Sequence, residues 1–374
     1  MRMLISGNIA CAEGALRAGC RFYAGYPITP SSEIMEYMAM ELPKHGGIFF
    51  QAEDEIAAIN AIIGASWGGL KSMTATSGPG FSLMQEGLGY AVMTETPLVV
   101  IDVMRVGPAT GQATKSAQGD LMQARWGRHG DQQVVILAPS SPQECLDLTV
   151  KAFNISEELR VPVIVLSDEI IGHMRETVEI PEHFNIVNRK ITEDLSKPPF
   201  HSDNPMEAPP MPLIGKGLNI MVTGSTHNEW GLRDTREFKT HFKLVKRLVE
   251  KIKLNAKRVF EYEEYNIENS TIGFVSFGSV ARSVKGAVKI LREKGVEASY
   301  INLKTLWPII DNPIVKMAER VKAIIVPEMN MGQLVLDVER IAQNKCLVVS
   351  LNKVGGGEPI YPSEIASKAL EVIG

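Results

Sequence analysis

The sequence lacks the features that would commit it to a membrane, to nucleic acid or to a metal cluster of its own. No apolar run reaches the roughly 18 to 20 residues that a bilayer span requires. The opening MRMLISGNIACAEG is too short in its apolar part for a secretory signal, and an acid follows at once. A cytoplasmic protein with no membrane partner is the expectation. Only four cysteines occur, Cys11, Cys20, Cys145 and Cys346, with no CxxC pair among them. That argues against an iron–sulfur cluster or structural zinc held by this chain alone, and the thiols read as small buried side chains in a reducing compartment. The formal net charge of -4 leaves no basic footprint for nucleic acid. Seven histidines fall at no metal-ligand spacing, and His227 with Glu229 reads as surface loop rather than a ligand pair. HExxH, a P-loop and a Ser/His/Asp order are all missing. GSVARS (278 to 283) opens a helix after a strand without completing a dinucleotide fingerprint.

What is present is a 374-residue chain, 45% hydrophobic and 22% charged, enough for two domains with sizeable cores. Over 1–178, helical patterns such as GNIACAEGALRAG and PQECLDLTVKAFNISEEL alternate with short apolar runs at RFYAGY, GIFFQ, SMTAT, PLVVIDV, QVVILAP and VPVIVLS. Continuous apolar strands between helices predict a parallel sheet covered on both faces. Prolines accumulate over 179–268, which reads as an extended connection carrying one exposed, charge-laced helix in FKLVKRLVEKIKLNAKRVFEYEE. The α/β rhythm restarts over 269–374 and predicts a second, smaller sheet of about four strands.

Ligands of open parallel sheets bind at the carboxyl ends of the strands. Three polar, glycine- or proline-rich segments fall at such ends: GYPITPSS (25 to 32), TSGPG (76 to 80) and MRVGPATGQATKSAQGD (104 to 120). Each alone is ordinary turn chemistry; their convergence on one edge marks a site. QAEDEIAAINAIIGASWGG (51 to 69) adds three consecutive acids at the head of an apolar helix. Acids favour a helix N-terminus, yet Glu55 stands where the chain turns inward, and burial would raise its pKa.

These residues carry a resemblance. Glu55 with Gly64 and Gly68, TSGPG and TPLVVIDV resemble the pyrimidine-binding domain of thiamine-diphosphate enzymes. GYPITPSSE is similar to the signature of 2-oxoacid:ferredoxin oxidoreductase alpha subunits. NLKTLWP (302 to 308), VPEMNMGQL (326 to 334) and GGGEPIYPSEI (355 to 365) resemble the C-terminal domain of those subunits, particularly of the 2-oxoglutarate type, as does GPATGQATKSAQGDL. The likeness spans nearly the whole chain and is weakest over 179–268.

The resemblance implies an α/β thiamine-diphosphate-binding fold of the pyrimidine type over 1–178 and a transketolase C-terminal-like domain over 269–374. It implies that Glu55 hydrogen-bonds N1′ of the cofactor's aminopyrimidine, so that the 4-amino group can take the thiazolium C2 proton. Tyr26, Pro27, Ile28, Ser77, Gly78 and Gly80 would border the cofactor with it. Thr29 would donate to the 2-oxoacid carboxylate and Arg105 would pair with it; from charge alone, Lys115 or Thr114 would meet a distal carboxylate if the substrate is 2-oxoglutarate. Asp120 and Arg125 would order the loop. No GDG followed by an Asn pair occurs, so the diphosphate and Mg²⁺ are expected on a beta subunit, with the iron–sulfur cluster also on a partner. Separate gamma and ferredoxin-like delta subunits, coenzyme A and ferredoxin complete the expectation. The alternatives are a 2-ketoisovalerate or pyruvate enzyme of the same class, or a non-catalytic scaffold subunit.

Overall fold

In the computed structural model, which describes residues 1–374, the apolar runs become one large mixed sheet. Its order is Thr305–Trp307, Val135–Leu137, Pro162–Asp168, Leu98–Val106, Ser72–Thr76, Phe22–Gly25 and Ile48–Gln51. The six strands from Val135–Leu137 onward are mutually parallel, and Thr305–Trp307 closes that edge antiparallel. The period of two sorts each strand between two cores. Leu98, Val100 and Met104 face one apolar cluster, and Val99, Ile101 and Val103 face the other. Helices Gly7–Arg17, Ser32–Glu41 and Pro142–Leu159 cover the second face. Each fully buried Val, Leu or Ile contributes about 1.5–3 kcal/mol relative to exposure.

The second sheet has five strands, not about four: Tyr262–Tyr265, Ala298–Leu303, Ile272–Ser276, Ala323–Glu328 and Leu347–Asn352. The extra one, Tyr262–Tyr265, is an antiparallel edge strand where the sequence reads as the end of the charge-laced helix, because its charged YEEY carries no apolar run. The inner face of this sheet (Val275, Ile301, Ile324) belongs to the same 41-residue apolar cluster as the large sheet. Its outer face is covered by helices Gly278–Glu293 and Pro362–Ile373. NLKTLWP crosses between them, with Asn302 in the small sheet and Thr305–Trp307 in the large one.

One strand pair carries no sequence expectation, and one further expectation is corrected. The chain begins with a strand, Arg2–Ser6, which pairs antiparallel with Arg175–Glu179. The charge-laced helix, Phe238–Leu254, is not simply exposed, for Leu244, Leu248, Lys251 and Ile252 are buried. It is pinned to the large domain by Glu95, whose carboxylate takes Arg247 and Lys251, each at 2.6 Å. Strong amphipathicity concealed a buried ionic anchor. No helix is long and apolar enough to cross a membrane.

Candidate active site

Phe22–Gly25 and Ser72–Thr76 are neighbours at the point where strand order reverses, and the loops leaving them lie side by side. The GYPITP loop is held from beneath by Asn8, whose Nδ2 donates to the Pro30 carbonyl at 2.9 Å. Ser31 closes it by bonding back to the Ile28 carbonyl. Tyr26, Pro27 and Thr29 are exposed and Ile28 is half-buried. The loop therefore offers its side chains to the open edge.

Arg105 joins this loop to the next. Its Nη1 donates to the Thr29 carbonyl at 2.8 Å and its Nη2 to the Thr110 carbonyl at 3.0 Å. The guanidinium is buried, and Nε has no partner. Ser77 and Gly78 follow Ser72–Thr76 and run past it, with Gly78 against the Arg105 stem.

Glu55 opens the helix Glu55–Trp67, which is capped by Asp54 accepting from the Ala57 N–H at 2.7 Å. The Glu55 side chain is only 4% exposed. Burial pushes its pKa up and Asp54 adds to that, while its own backbone N–H and Arg105 pull it down. The net direction is upward. Gly80 makes room for the carboxyl. A Cβ there would lie 2.2 Å from both Glu55 Oε1 and Thr76 Oγ1. The Thr76 and Ser77 hydroxyls beside it are buried without partners. The helix is buried on one side only, since Ile56, Asn60 and Gly64 face outward.

The MRVGPATGQATKSAQGD segment forms a hairpin, Leu98–Val106 against Gln112–Ser116. Thr114 and Lys115 are exposed on its outer strand, across from Arg105 rather than clustered with it. Lys115 lies along Gly357, where a Cβ would come within 2.9 Å of its Cδ, and Gly357 has φ +71, open only to glycine without strain. The Gly356 N–H donates to Gln112 Oε1 at 2.7 Å, so GGGEP braces the hairpin.

EMNMGQ braces the other side. Asn330 Nδ2 donates to the Gln118 carbonyl at 2.7 Å and Gln333 Nε2 to the Gly119 carbonyl at 2.6 Å. Gln118 in turn reaches Asp168 and the Phe277 carbonyl from the large sheet's side. Glu328 caps the next helix by accepting from the Leu334 and Val335 N–H groups. Between these pieces lies a cleft of about 410 Å³, with Gly78, Arg105 and Asp120 on one wall and Asn330, Met331 and Gln333 on the other.

Asp102 and Gln118 escaped the reading of the sequence as site residues. A carboxylate inside the apolar PLVVIDV was the available signal. Asp120 lies against Asp102, and Arg125 instead bonds Asp337 at 2.7 Å and sits over the Trp307 ring. His227 and Glu229 are not a pair: His227 is buried and contacts the Met93 carbonyl, while Glu229 meets His201. Cys11, Cys20 and Cys145 are buried free thiols, and Cys346 is half-buried.

The thiamine-diphosphate-binding domain of pyruvate flavodoxin/ferredoxin oxidoreductases matches residues 13–247, and core domain II of pyruvate:ferredoxin oxidoreductase matches residues 271–365. The 2-oxoglutarate synthase subunit KorA of Methanocaldococcus jannaschii is 53% identical over 367 residues, covering 98% of both chains. A solved 2-oxoglutarate:ferredoxin oxidoreductase from Magnetococcus marinus, with 2-oxoglutarate, coenzyme A and succinyl-CoA bound, is 34% identical with a TM-score of 0.93. It is matched by the whole of this chain, which spans 65% of its length. A split-gene transketolase, 12% identical at a TM-score of 0.57, shares the fold alone, over 99% of both chains.

Proposed function

This chain belongs to the 2-oxoacid:ferredoxin oxidoreductases, and we propose that it is the alpha subunit of a hetero-oligomer that oxidatively decarboxylates 2-oxoglutarate to succinyl-CoA with reduction of ferredoxin. The observation that carries the reading is one constellation: buried Glu55 in the Gly80 cradle, beside Arg105 tied to Thr29. The family and the KorA relatives supply the reaction class and the substrate.

The residues fit the aminopyrimidine of thiamine diphosphate. A carboxyl with a raised pKa, a backbone cradle that a Cβ would fill, and two unpartnered hydroxyls stand together. When bound, the cofactor supplies the electron sink for decarboxylation. Glu55 would hold or share a proton at its carboxyl, a role that the upward push of burial on its pKa favours. Tyr26, Pro27, Ile28, Ser77, Gly78 and Gly80 border that group. Arg105 presents a cation to the 2-oxoacid carboxylate, and the exposed Thr29 hydroxyl donates from the neighbouring loop. Thr114 and Lys115 would discriminate the distal carboxylate from the outer strand of the hairpin.

The exposed apolar rim around these buried polar groups, Tyr26, Phe50, Ile56, Leu83 and Met331, supports completion of the site by a partner chain. That partner is a beta subunit carrying the diphosphate-binding domain, Mg²⁺ and the iron–sulfur cluster, with gamma and delta subunits alongside. The proposed domain division is 1–178, 179–268 and 269–374, with the edge strand Tyr262–Tyr265 of the small sheet contributed by the end of the middle segment.

The test is co-expression with the candidate beta partner and assay with thiamine diphosphate, Mg²⁺ and coenzyme A. Substrate-dependent viologen reduction is expected only with the partner present, and fastest on 2-oxoglutarate. Equal or faster turnover of pyruvate or 2-ketoisovalerate overturns the substrate, and a complete complex silent on every 2-oxoacid overturns the activity.

A further inference from the structure

Behind Arg105 lies a pair of carboxyl groups with no part in the proposed catalysis. Asp102 is fully buried in the middle of Leu98–Val106. Asp120, at the head of helix Leu121–Trp126, is set against it and lines the cleft. Neither Asp102 oxygen nor Asp120 Oδ2 takes a hydrogen bond of normal geometry from any donor of the chain. Buried polar atoms without partners call for an explanation, and two adjacent ionised carboxylates in a desolvated site repel each other. One proton held between them removes both difficulties, because it supplies the missing donor and leaves a single negative charge.

We propose that Asp102 and Asp120 share one proton and present that single charge to Arg105, which makes Asp120 a positioning residue that sets how strongly Arg105 draws an anionic 2-oxoacid into the cleft. Arg105 is the charged group facing the pair, and Glu55 faces Arg105 from the next loop. Gly78 touches the Arg105 stem, and its backbone N–H is turned toward Asp102, so these two groups meet at one loop.

The direction of the effect follows from the charges. Burial and the neighbouring Asp120 push Asp102 well above the usual carboxyl range, so it keeps the proton. Burial lifts Asp120 to about 6, although Asp102 and Arg105 pull it down. Above that value Asp120 is anionic and partly cancels Arg105. Below it the pair is neutral and no longer opposes Arg105, while the 2-oxoacid is still ionised.

The inference rests on the proposed 2-oxoacid site, so the test has one arm that does not. Infrared spectra of the full-length chain near neutral pH should show a protonated-carboxyl stretch that Asp102→Asn removes. Absence of that band overturns the shared proton whatever the enzyme does. In the assembled complex, KM for 2-oxoglutarate should fall as pH drops through about 6. Asp120→Asn should lower KM at neutral pH by roughly threefold to tenfold and abolish the step, with the effect on KM rather than kcat. Asp102→Asn, whose amide can still donate to Asp120, should keep the step. An unchanged or raised KM in Asp120→Asn with the step retained overturns the positioning role. If the wild-type complex turns over no 2-oxoacid, the functional reading falls, and the shared proton stands or falls on the infrared band.

Discussion

Arg105 donates from Nη1 to the carbonyl oxygen of Thr29 at 2.8 Å, and from Nη2 to that of Thr110 at 3.0 Å. One guanidinium thus holds the GYPITP loop and the hairpin tip in register while its charge faces the cleft. Arg105→Lys keeps the charge but cannot span two diverging carbonyls. KM for 2-oxoglutarate is expected to rise by about tenfold or more, the scale of one hydrogen bond to a charged group. Steady-state kinetics of the assembled complex check this, and an unchanged KM would refute the clamp.

Glu55→Gln keeps the shape of the side chain and removes its ability to ionise. The carboxyl sits at a capped helix start, so assembly and cofactor retention should survive. Turnover is expected to fall by about 10²–10⁴-fold, the usual worth of a positioned acid or base. Stopped-flow decarboxylation in a complex shown to retain cofactor separates this from loss of binding.

The anchor of the long connecting helix gives a stability prediction. Burial would raise the pKa of Glu95, but Arg247 and Lys251 outweigh it and hold the carboxyl well below its ordinary value. A depressed folded pKa contributes stability that is present above the unfolded value near 4.3 and is lost as pH falls through the range beneath it. Glu95→Ala strands two cations in the interior and is expected to cost about 3–5 kcal/mol. Thermal melts between about pH 5 and pH 3 should fall more steeply for the wild type than for Glu95→Gln. Parallel melting curves would show that the anchor contributes nothing.

Much of this is legible in the sequence. The pattern that sorts PLVVIDV and VPVIVLS between two cores is visible as apolar runs, and glycines and prolines mark the three strand-end loops. The resemblance pointed to Glu55, and the structure adds the Gly80 cradle around it. Other features carry no local signal. Tyr262–Tyr265 pairs as a charged edge strand because its partner, Ala298–Leu303, lies thirty-odd residues away. Arg2–Ser6 is a strand only because Arg175–Glu179 returns beside it. The role of EMNMGQ as a brace on Gln118 and Gly119 depends on two segments about 210 residues apart. Long-range pairing of polar groups leaves no periodicity to read.

Gly80 offers the sharpest test of the Glu55 environment, because the residue itself does no chemistry. It lies within helix Gly78–Leu83 at an ordinary negative φ, so alanine is conformationally acceptable and a better helix former. Yet the added Cβ would stand 2.2 Å from Glu55 Oε1 and 2.2 Å from Thr76 Oγ1, and something must move. Overpacking of this kind typically costs about 1–3 kcal/mol, which a domain of this size can absorb. The carboxyl is the group displaced, so Gly80→Ala should lose turnover nearly as fully as Glu55→Gln while the complex still assembles. The two changes act on one group, and the double variant should therefore be little worse than either single one. Multiplicative losses in that double-mutant cycle would show that Gly80 shapes something other than the seat of Glu55.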